Sequence, residues 1–386
     1  MMKEIYADHA ATTPLLPQAL DAMLPFLTEI YGNPSALYSQ GRKARKGMEE
    51  ARWKIAGCLG ASPDEIYFTS GGTESDNWAI KGGIQAMAQA GKRHIISTAF
   101  EHPAILRTLE ALKRQGYSVT LLPVEPDGTV LPDRLRKALR SDTGLVSVMA
   151  ANNETGVLQP VEEMGQICRE AGVLFHTDAV QAVGNLPFSL QDSCIDMLSL
   201  SGHKLGGPKG TGALYIRRGL LISNLIDGGG QESNRRSGTE NVAGIVGLGA
   251  AMETMYSNLS ERTRYITALR LRLEEGILKL PGTHLHGAAS PRLPGTSNIG
   301  FEGVAGSTLM LMLSRRGICC STGSACSSCS HQGSHVLRAM GISEEMAKGS
   351  LRFSLGAENT DEDIEAILKG LQETVSFLRT TFPSGG

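Results

Sequence analysis

Ile195-Asp196-Met197-Leu198-Ser199-Leu200-Ser201-Gly202-His203-Lys204 is the stretch that organises this chain. The apolar run from Ile195 to Leu200 reads as a buried strand, and a glycine-rich turn follows it (Gly206, Gly207, Gly210, Gly212). Lysine is rarely buried without a partner or a task, so Lys204 at the end of such a strand is either a surface-loop residue or a working amine. Desolvation lowers the pKa of a working lysine and frees its neutral amine to condense with an aldehyde.

Working outward, the same pattern recurs. Short apolar runs stand at Ile66–Thr69, His94–Ser97, Val119–Leu122, Leu145–Met149, Val173–His176, Met197–Leu200 and Ala213–Ile216, spaced by amphipathic segments. Strands alternating with helical stretches predict an α/β fold with a mostly parallel seven-stranded sheet covered on both faces. Ligands of such sheets gather at the carboxyl ends of the strands. From about Asn241 the sequence turns helical and leads into a smaller α+β domain. Its last helix is capped by Thr360, carries Asp361, Glu362 and Asp363 in its first turn, and repeats Ile364, Ile367, Leu368, Leu371, Val375 and Leu378 at helical spacing. That stripe is core and is assigned no chemistry.

Composition sets the outer limits. A chain of 386 residues, 41% hydrophobic and 20% charged, has the length for two domains and an ordinary globular core. A formal net charge of −2 gives no reason to expect nucleic acid or an anionic membrane as partner. Met1 to Asp8 lacks the apolar core of a signal peptide, and no apolar stretch approaches the roughly 20 residues that span a bilayer. Seven cysteines, four of them crowded between Cys319 and Cys329, do not form a disulfide framework and point to the reducing cytoplasm.

Candidate chemistry sits at the strand ends. Thr69-Ser70-Gly71-Gly72-Thr73-Glu74-Ser75 follows a strand and opens a helix, so free N–H groups, glycines and hydroxyls make either a phosphate cradle or a plain N-cap. Asp178, leaving the strand Val173 to His176, can pair with a pyridinium nitrogen or cap a following helix, and Gln181 lies one helical turn on. One strand–helix–strand interval separates Asp178 from Lys204, which lets their strand ends lie side by side. His102 follows the strand at His94 and is placed either to stack on a cofactor ring and move protons or to start a helix before Pro103. Asn152-Asn153 supplies an amide at the same rim, or a turn. Arg352 interrupts a strand-like segment; its fork suits an α-carboxylate, and equally a buried Asp or Glu. Together with Lys204 these residues make pyridoxal phosphate the candidate cofactor.

The segment Cys319-Cys320-Ser321-Thr322-Gly323-Ser324-Ala325-Cys326-Ser327-Ser328-Cys329-Ser330-His331 is small, polar and poor in packing residues. It is expected to be mobile and to carry a thiol into a pocket and out again. Cys326-x-x-Cys329 with His331 and His335 also resembles metal-ligand spacing, although a second spaced pair is missing.

Taken in order, these motifs resemble the cysteine desulfurases, pyridoxal phosphate enzymes of fold type I. The resemblance runs through Asp8 to Pro14, Gly32 to Ser35, Phe68 to Ser75, Glu101-His102, Asn152 to Glu154, His176 to Gln181, Ser201 to Lys204, Arg236 to Asn241, Gly323 to Cys326, Ser334 to Leu337 and Arg352 to Gly356. Cys326, eight residues ahead of Ser334-His335-Val336-Leu337, is similar to the group with the longer catalytic loop that serves iron–sulfur cluster assembly. The resemblance implies Lys204 as the Schiff-base lysine, Asp178 on the pyridine nitrogen, Gln181 on the ring hydroxyl and His102 stacked on the ring. Asn153 would lie near ring and substrate, and Gly72, Thr73, Ser201 and His203 would hold the phosphate, completed by Thr239 of a second subunit in a homodimer. Arg352 would clamp the carboxylate of L-cysteine. Cys326 would take its sulfur as a persulfide, release L-alanine and pass the sulfur to an acceptor such as an iron–sulfur scaffold, where the persulfide would meet a transient cluster.

The implied large domain spans 15–257, with 1–14 and 258–386 forming the small one. Departures are Cys320 where the family often has Ser, the extra thiol Cys329, His9 in place of the more usual Asn, and His331-Gln332-Gly333 in place of Leu-Glu-Pro. The alternatives are a selenocysteine lyase or aminotransferase, which would not need Cys326, and a non-enzymatic metal or Fe–S carrier using the cysteine-rich segment.

Overall fold

The computed structural model describes residues 4–323 and 333–381. All seven apolar runs lie in one seven-stranded sheet, ordered Ile66–Thr69, Gly212–Ile216, Met197–Ser201, Leu174–Asp178, Thr143–Ser147, His94–Thr98 and Ser118–Leu122. The pairs among the last five of these are parallel, and Gly212–Ile216 runs antiparallel to both neighbours. The sheet is therefore mixed but mostly parallel, as expected. Its central strands are buried at every position, which is why they read as continuous apolar runs rather than alternating ones.

Helices cover both faces. Gly72–Ala88 lays Trp78, Ile80 and Ile84, all fully buried, on one side. Each such side chain contributes roughly 1.5–3 kcal/mol, and their burial fixes where the helix begins. The opposite face is built on Ile55, Leu59, Phe100, Phe175, Leu200 and Leu248.

A second core gathers Ile5, Leu269, Leu273, Phe301, Leu351, Phe353 and the stripe Ile364, Ile367, Leu371, Val375 and Leu378 of the Asp361–Thr381 helix. Thr360 caps that helix, its Oγ1 accepting from Asp363 N at 3.3 Å while the Asp363 carboxylate accepts from Thr360 N at 3.2 Å. The core covers a three-stranded antiparallel sheet, Ser350–Ser354, Thr296–Phe301 and Thr283–Leu285. Single bridges from Asp8 to Ser354 and from Ser321 to Arg352 tie the N-terminal segment and the chain entering residue 323 to the Arg352 strand.

One connection differs from expectation. Leu174–Asp178 and Met197–Ser201 are parallel neighbours, with Asp178 in register with Ser199, so Asp178 and Lys204 do emerge side by side. No helix is assigned between them, however; Ala179 to Asp196 is a chain of turns with a bridge from Val183 to Leu186. Gly184 at φ 82° and Pro187 in the middle of the segment leave no uninterrupted run for a helix.

Candidate active site

The carboxyl ends of the central strands open into a cavity of about 320 Å³. It is lined by Gly72, Thr73, His102, Asn153, Asp178, Gln181, Ser201, His203, Lys204 and Arg352, so the structure brings together all but two of the residues singled out above. The exceptions are Thr239, which is exposed and away from this cavity in its own chain, and Cys326, which lies outside the described residues, as do Cys329 and His331.

Lys204 closes the single turn Gly202–Lys204 that follows the Met197–Ser201 strand. Its Nζ donates to the carbonyls of Ala10 and, at 2.8 Å, Ala11. Gln181 Nε2 donates to the same Ala10 carbonyl at 3.1 Å, and Thr13 N donates to His203 O at 2.9 Å. The segment from Asp8 to Thr13 is thereby laced along the cavity and holds the lysine toward it.

The cavity floor is acidic and buried. Asp178 accepts from Val180 N at 2.9 Å through Oδ1. Burial pushes its carboxyl above the usual range, while His102 and Lys204 pull it back down. Beneath it, His176 Nδ1 meets Ser147 Oγ at 2.9 Å and Nε2 meets Ser199 Oγ at 3.0 Å; full burial pushes this imidazole down to about 3, so it is neutral. Asp76, 1% exposed, stands beside them.

His102 is at once an N-cap and a cavity residue. Its Nδ1 accepts from Ala104 N at 3.2 Å, which places the proton of the neutral ring on Nε2. Burial lowers its pKa, Lys204 and His335 lower it further, and Asp178 opposes them. The cradle lies at the start of the Gly72–Ala88 helix, where Gly71 adopts φ 147° and a Cβ on Gly72 would stand 2.6 Å from Val180 Cγ2. Only glycine permits this approach of backbone N–H groups to a ligand. His203 faces the cradle with its pKa pushed down to about 4 by burial, then by Lys204 and Lys209.

The opposite wall carries Arg352, 3% exposed. Its guanidinium donates to Asp8 Oδ1 at 2.7 Å and to Asn153 O at 2.8 Å, while its buried Nε has no partner among the described residues. Of the two sequence readings, the pairing with a carboxylate is present as Asp8, and the guanidinium also borders the cavity. Asn152 forms the turn, its Oδ1 accepting from Glu154 N and Thr155 N, and leaves Asn153 to face the cavity.

Sequence reasoning missed three contributors and considered a fourth, His335, only as a metal ligand. Asp76, Glu154 and His335 line the cavity, and Glu101 lies buried beside His102. His335 Nε2 donates to Glu101 O at 2.9 Å. Burial pushes Glu101 up to about 8 and raises Glu154, whose carboxylate takes the Ser334 hydroxyl. For Asp76 a signal existed: it lies four residues after Gly72, on the face of the helix that the cradle shares. Cys320 is buried with its thiol pushed up to about 12, the behaviour of a packing residue.

With this geometry in hand, comparison with known proteins is specific. The chain matches the aminotransferase class-V family over residues 5–367. The protein named cysteine desulfurase IscS from Methanosarcina thermophila is 51% identical over 381 residues, covering 99% of this chain and 94% of that one. Among solved structures, a NifS-like protein superimposes with a TM-score of 0.91 at 42% identity, over 97% of this chain and 100% of the other. A structure described as SspA in complex with cysteine superimposes with a TM-score of 0.82 at 36% identity, over 92% of this chain and 99% of the other.

Proposed function

Because this chain belongs to the class-V aminotransferases and is a cysteine desulfurase, we propose that Lys204 carries pyridoxal 5'-phosphate and that Cys326 takes the sulfur of L-cysteine as a persulfide. The fold is that of the fold-type-I pyridoxal phosphate enzymes. The carrying observation is the convergence of Lys204, Asp178, Gln181, His102 and Arg352 on one cavity at the strand ends.

The residues present fit the cofactor. The close approach at Gly72 leaves backbone N–H groups free for a phosphate, with Thr73, Ser201 and His203 beside them. Asp178 is a carboxylate at a strand end with a single backbone donor, suited to a ring nitrogen, and Gln181 is placed for the ring hydroxyl. Arg352 Nε, buried beside the cavity and without a partner among the described residues, is suited to a substrate carboxylate. When bound, pyridoxal phosphate supplies an electron sink that makes the α-proton of an amino acid removable and the Cβ–S bond of cysteine labile.

The chain's own residues do the rest. Arg352 and Asn153 orient L-cysteine by its carboxylate and backbone. His102, with Nδ1 accepting from Ala104 N and its pKa lowered by burial, would lie against the cofactor ring and could move protons through Nε2. Lys204 leaves the Ala10 and Ala11 carbonyls when it is displaced and takes up the α-proton. The Cys326 thiolate then attacks the substrate sulfur. A sulfur–sulfur bond would form and the Cβ–S bond break with its electron pair retained on the carbon skeleton; protonation of Cβ and return of the proton held by Lys204 to Cα would then give L-alanine. No external oxidant or reductant is needed.

Thr239 completes the phosphate site from the second subunit of a homodimer. The persulfide passes to an acceptor protein of iron–sulfur cluster assembly. The domain division at 14/15 and 257/258 belongs to the same reading, as does a cytoplasmic location; among the described residues no helix is long and apolar enough to cross a membrane.

Mass spectrometry tests the assignment. After borohydride reduction the cofactor mass should sit on the Lys204 peptide. After incubation with L-cysteine one added sulfur should sit on the Cys326 peptide, with alanine in solution. Cys326→Ala should keep the yellow colour and lose sulfide release; normal turnover in that variant would remove Cys326 from the mechanism.

A further inference from the structure

Asp76 has no part in the scheme above, yet it is the most unusual group near the cavity. It lies on the first turn and a half of the Gly72–Ala88 helix, 1% exposed, and contributes to the cavity lining. Its Oδ1 is buried with no hydrogen-bond partner among the described residues, and the nearest cationisable nitrogen, His176 Nε2, stands 3.7 Å away. Its carboxyl lies against the carboxyl of Asp178 and the hydroxyl of Ser199. Two carboxyl groups in contact inside a dry site cannot both be ionised.

The surroundings decide which one keeps the proton. Asp178 faces His102 and Lys204, both of which favour its anion, and receives the Val180 N–H. Asp76 faces the Asp178 carboxyl, the Ser199 hydroxyl, the charge of Glu101 and a His176 that burial keeps neutral. Among the described residues the nitrogen within ion-pair range of Asp76 is that neutral imidazole, whereas Asp178 has two cationisable neighbours, so the proton resides on Asp76. Burial and the Asp178 charge both raise Asp76 well above the usual carboxylate range.

We propose that Asp76 is a positioning residue: as a neutral carboxylic acid it donates a hydrogen bond to Asp178, keeping Asp178 ionised and aimed at the ring nitrogen of the cofactor. Ser147, His176 and Ser199 form the polar relay that holds the acid in this state, each linked to the next at 2.9–3.0 Å. Without the donor, burial would protonate Asp178, and the ring nitrogen would lose its proton and its electron-withdrawing charge. The inference rests on the cofactor assignment made above and adds a second carboxyl to its site.

The test compares Asp76→Asn, which keeps a donor, with Asp76→Ala, which does not, using purified protein reconstituted with pyridoxal phosphate. In Asp76→Ala, cofactor affinity from titration of the cofactor-free protein should fall at least about tenfold, the worth of one hydrogen bond to a charged group. The pH midpoint of the visible absorption should rise by about one unit, because a neutral Asp178 removes positive charge from the ring. Asp76→Asn should stay within about threefold and a few tenths of a unit of the parent. Infrared difference spectra should show the carbonyl stretch of a protonated carboxylic acid in the parent and its loss in Asp76→Asn.

That infrared readout decides the question even if Asp76→Ala fails to fold. Unchanged affinity and midpoint in a folded Asp76→Ala, Asp76→Asn as damaged as Asp76→Ala, or no acid band lost in Asp76→Asn would each overturn the proposal. A parent protein that takes up no cofactor would instead defeat the cofactor assignment, while the acid band would still report on Asp76.

Discussion

The two walls of the cavity are built differently. One is the seven-stranded sheet, whose adjacent strands present Asp178 and, through the turn after Ser201, Lys204, with Asp178 and Ser199 locked in register. The other is assembled from pieces far apart in the chain. Arg352 from the small sheet is aligned by Asp8, 344 residues away, and by the Asn153 carbonyl, and its strand is bridged by Ser321. The first wall gets its precision from continuous backbone hydrogen bonding and suits a permanently held cofactor. The second is held by contacts of one arginine side chain with distant parts of the chain.

The sharpest separation of the walls comes from Arg352→Ala. Losing its charge-assisted hydrogen bonds should lower kcat/KM for L-cysteine by about a hundredfold or more. The visible absorption of the loaded enzyme should stay unchanged, since Arg352 belongs to the wall away from the cofactor's anchors. Steady-state kinetics alongside an absorption spectrum reads both. Loss of colour together with activity would show that the walls are not independent.

This division also explains what the sequence revealed. Asp178, His102 and Lys204 follow directly from apolar runs, because a residue just past a buried strand must lie at the sheet's carboxyl edge. The Arg352 wall was not legible from pattern. Nothing in Asp8 or Arg352 alone announces the pairing of the two; the arginine fork by itself suited an α-carboxylate and a buried Asp or Glu equally. Glu101 and Glu154 escaped because they flank residues with stronger signals, and their burial comes from tertiary packing. Asp76 was readable in principle from its spacing to Gly72. The turns between Asp178 and Met197 were misread as a helix because the strand–helix–strand rule was applied across Gly184 and Pro187.

Glu101 stands at the seam of the two walls. Its Oε1 accepts from Thr98 Oγ1 at 2.7 Å and Met149 N at 3.0 Å, its carbonyl holds His335, and Oε2 has no partner among the described residues. Burial pushes it up to about 8, against the opposing pull of those donors. The folded protein therefore holds a proton here that the unfolded chain releases near its ordinary value of 4.5. Stability from this group declines as pH rises from about 4.5 to 8 and levels off above, a loss on the order of several kcal/mol. Glu101→Gln keeps the Oε1 acceptor and never ionises. Its thermal midpoint should match the parent near pH 5 and exceed it by several degrees near pH 9. Equal midpoints at both pH values would mean that the seam holds an ionised Glu101.

The smallest expected effect concerns Cys320, the thiol whose position in the Arg352 wall invites a role in sulfur relay. The residue follows the Ile318–Cys319 strand and precedes Ser321, which bridges to Arg352, so its backbone is fixed beside the clamp. Burial first, and then the Asp8 and Cys319 charges, push its thiol up to about 12. At pH 8 only about one molecule in ten thousand would carry the thiolate, the form that accepts sulfur. Cys320→Ala should leave the rate of alanine formation within about twofold of the parent, and should cost about 1 kcal/mol of stability through one lost buried atom. Peptide mapping after brief exposure to sulfur-labelled cysteine checks this directly. Label on the Cys320 peptide, with a tenfold slower reaction in Cys320→Ala, would show that this wall transfers sulfur as well as orienting substrate, and the contrast between the two walls would have to be redrawn.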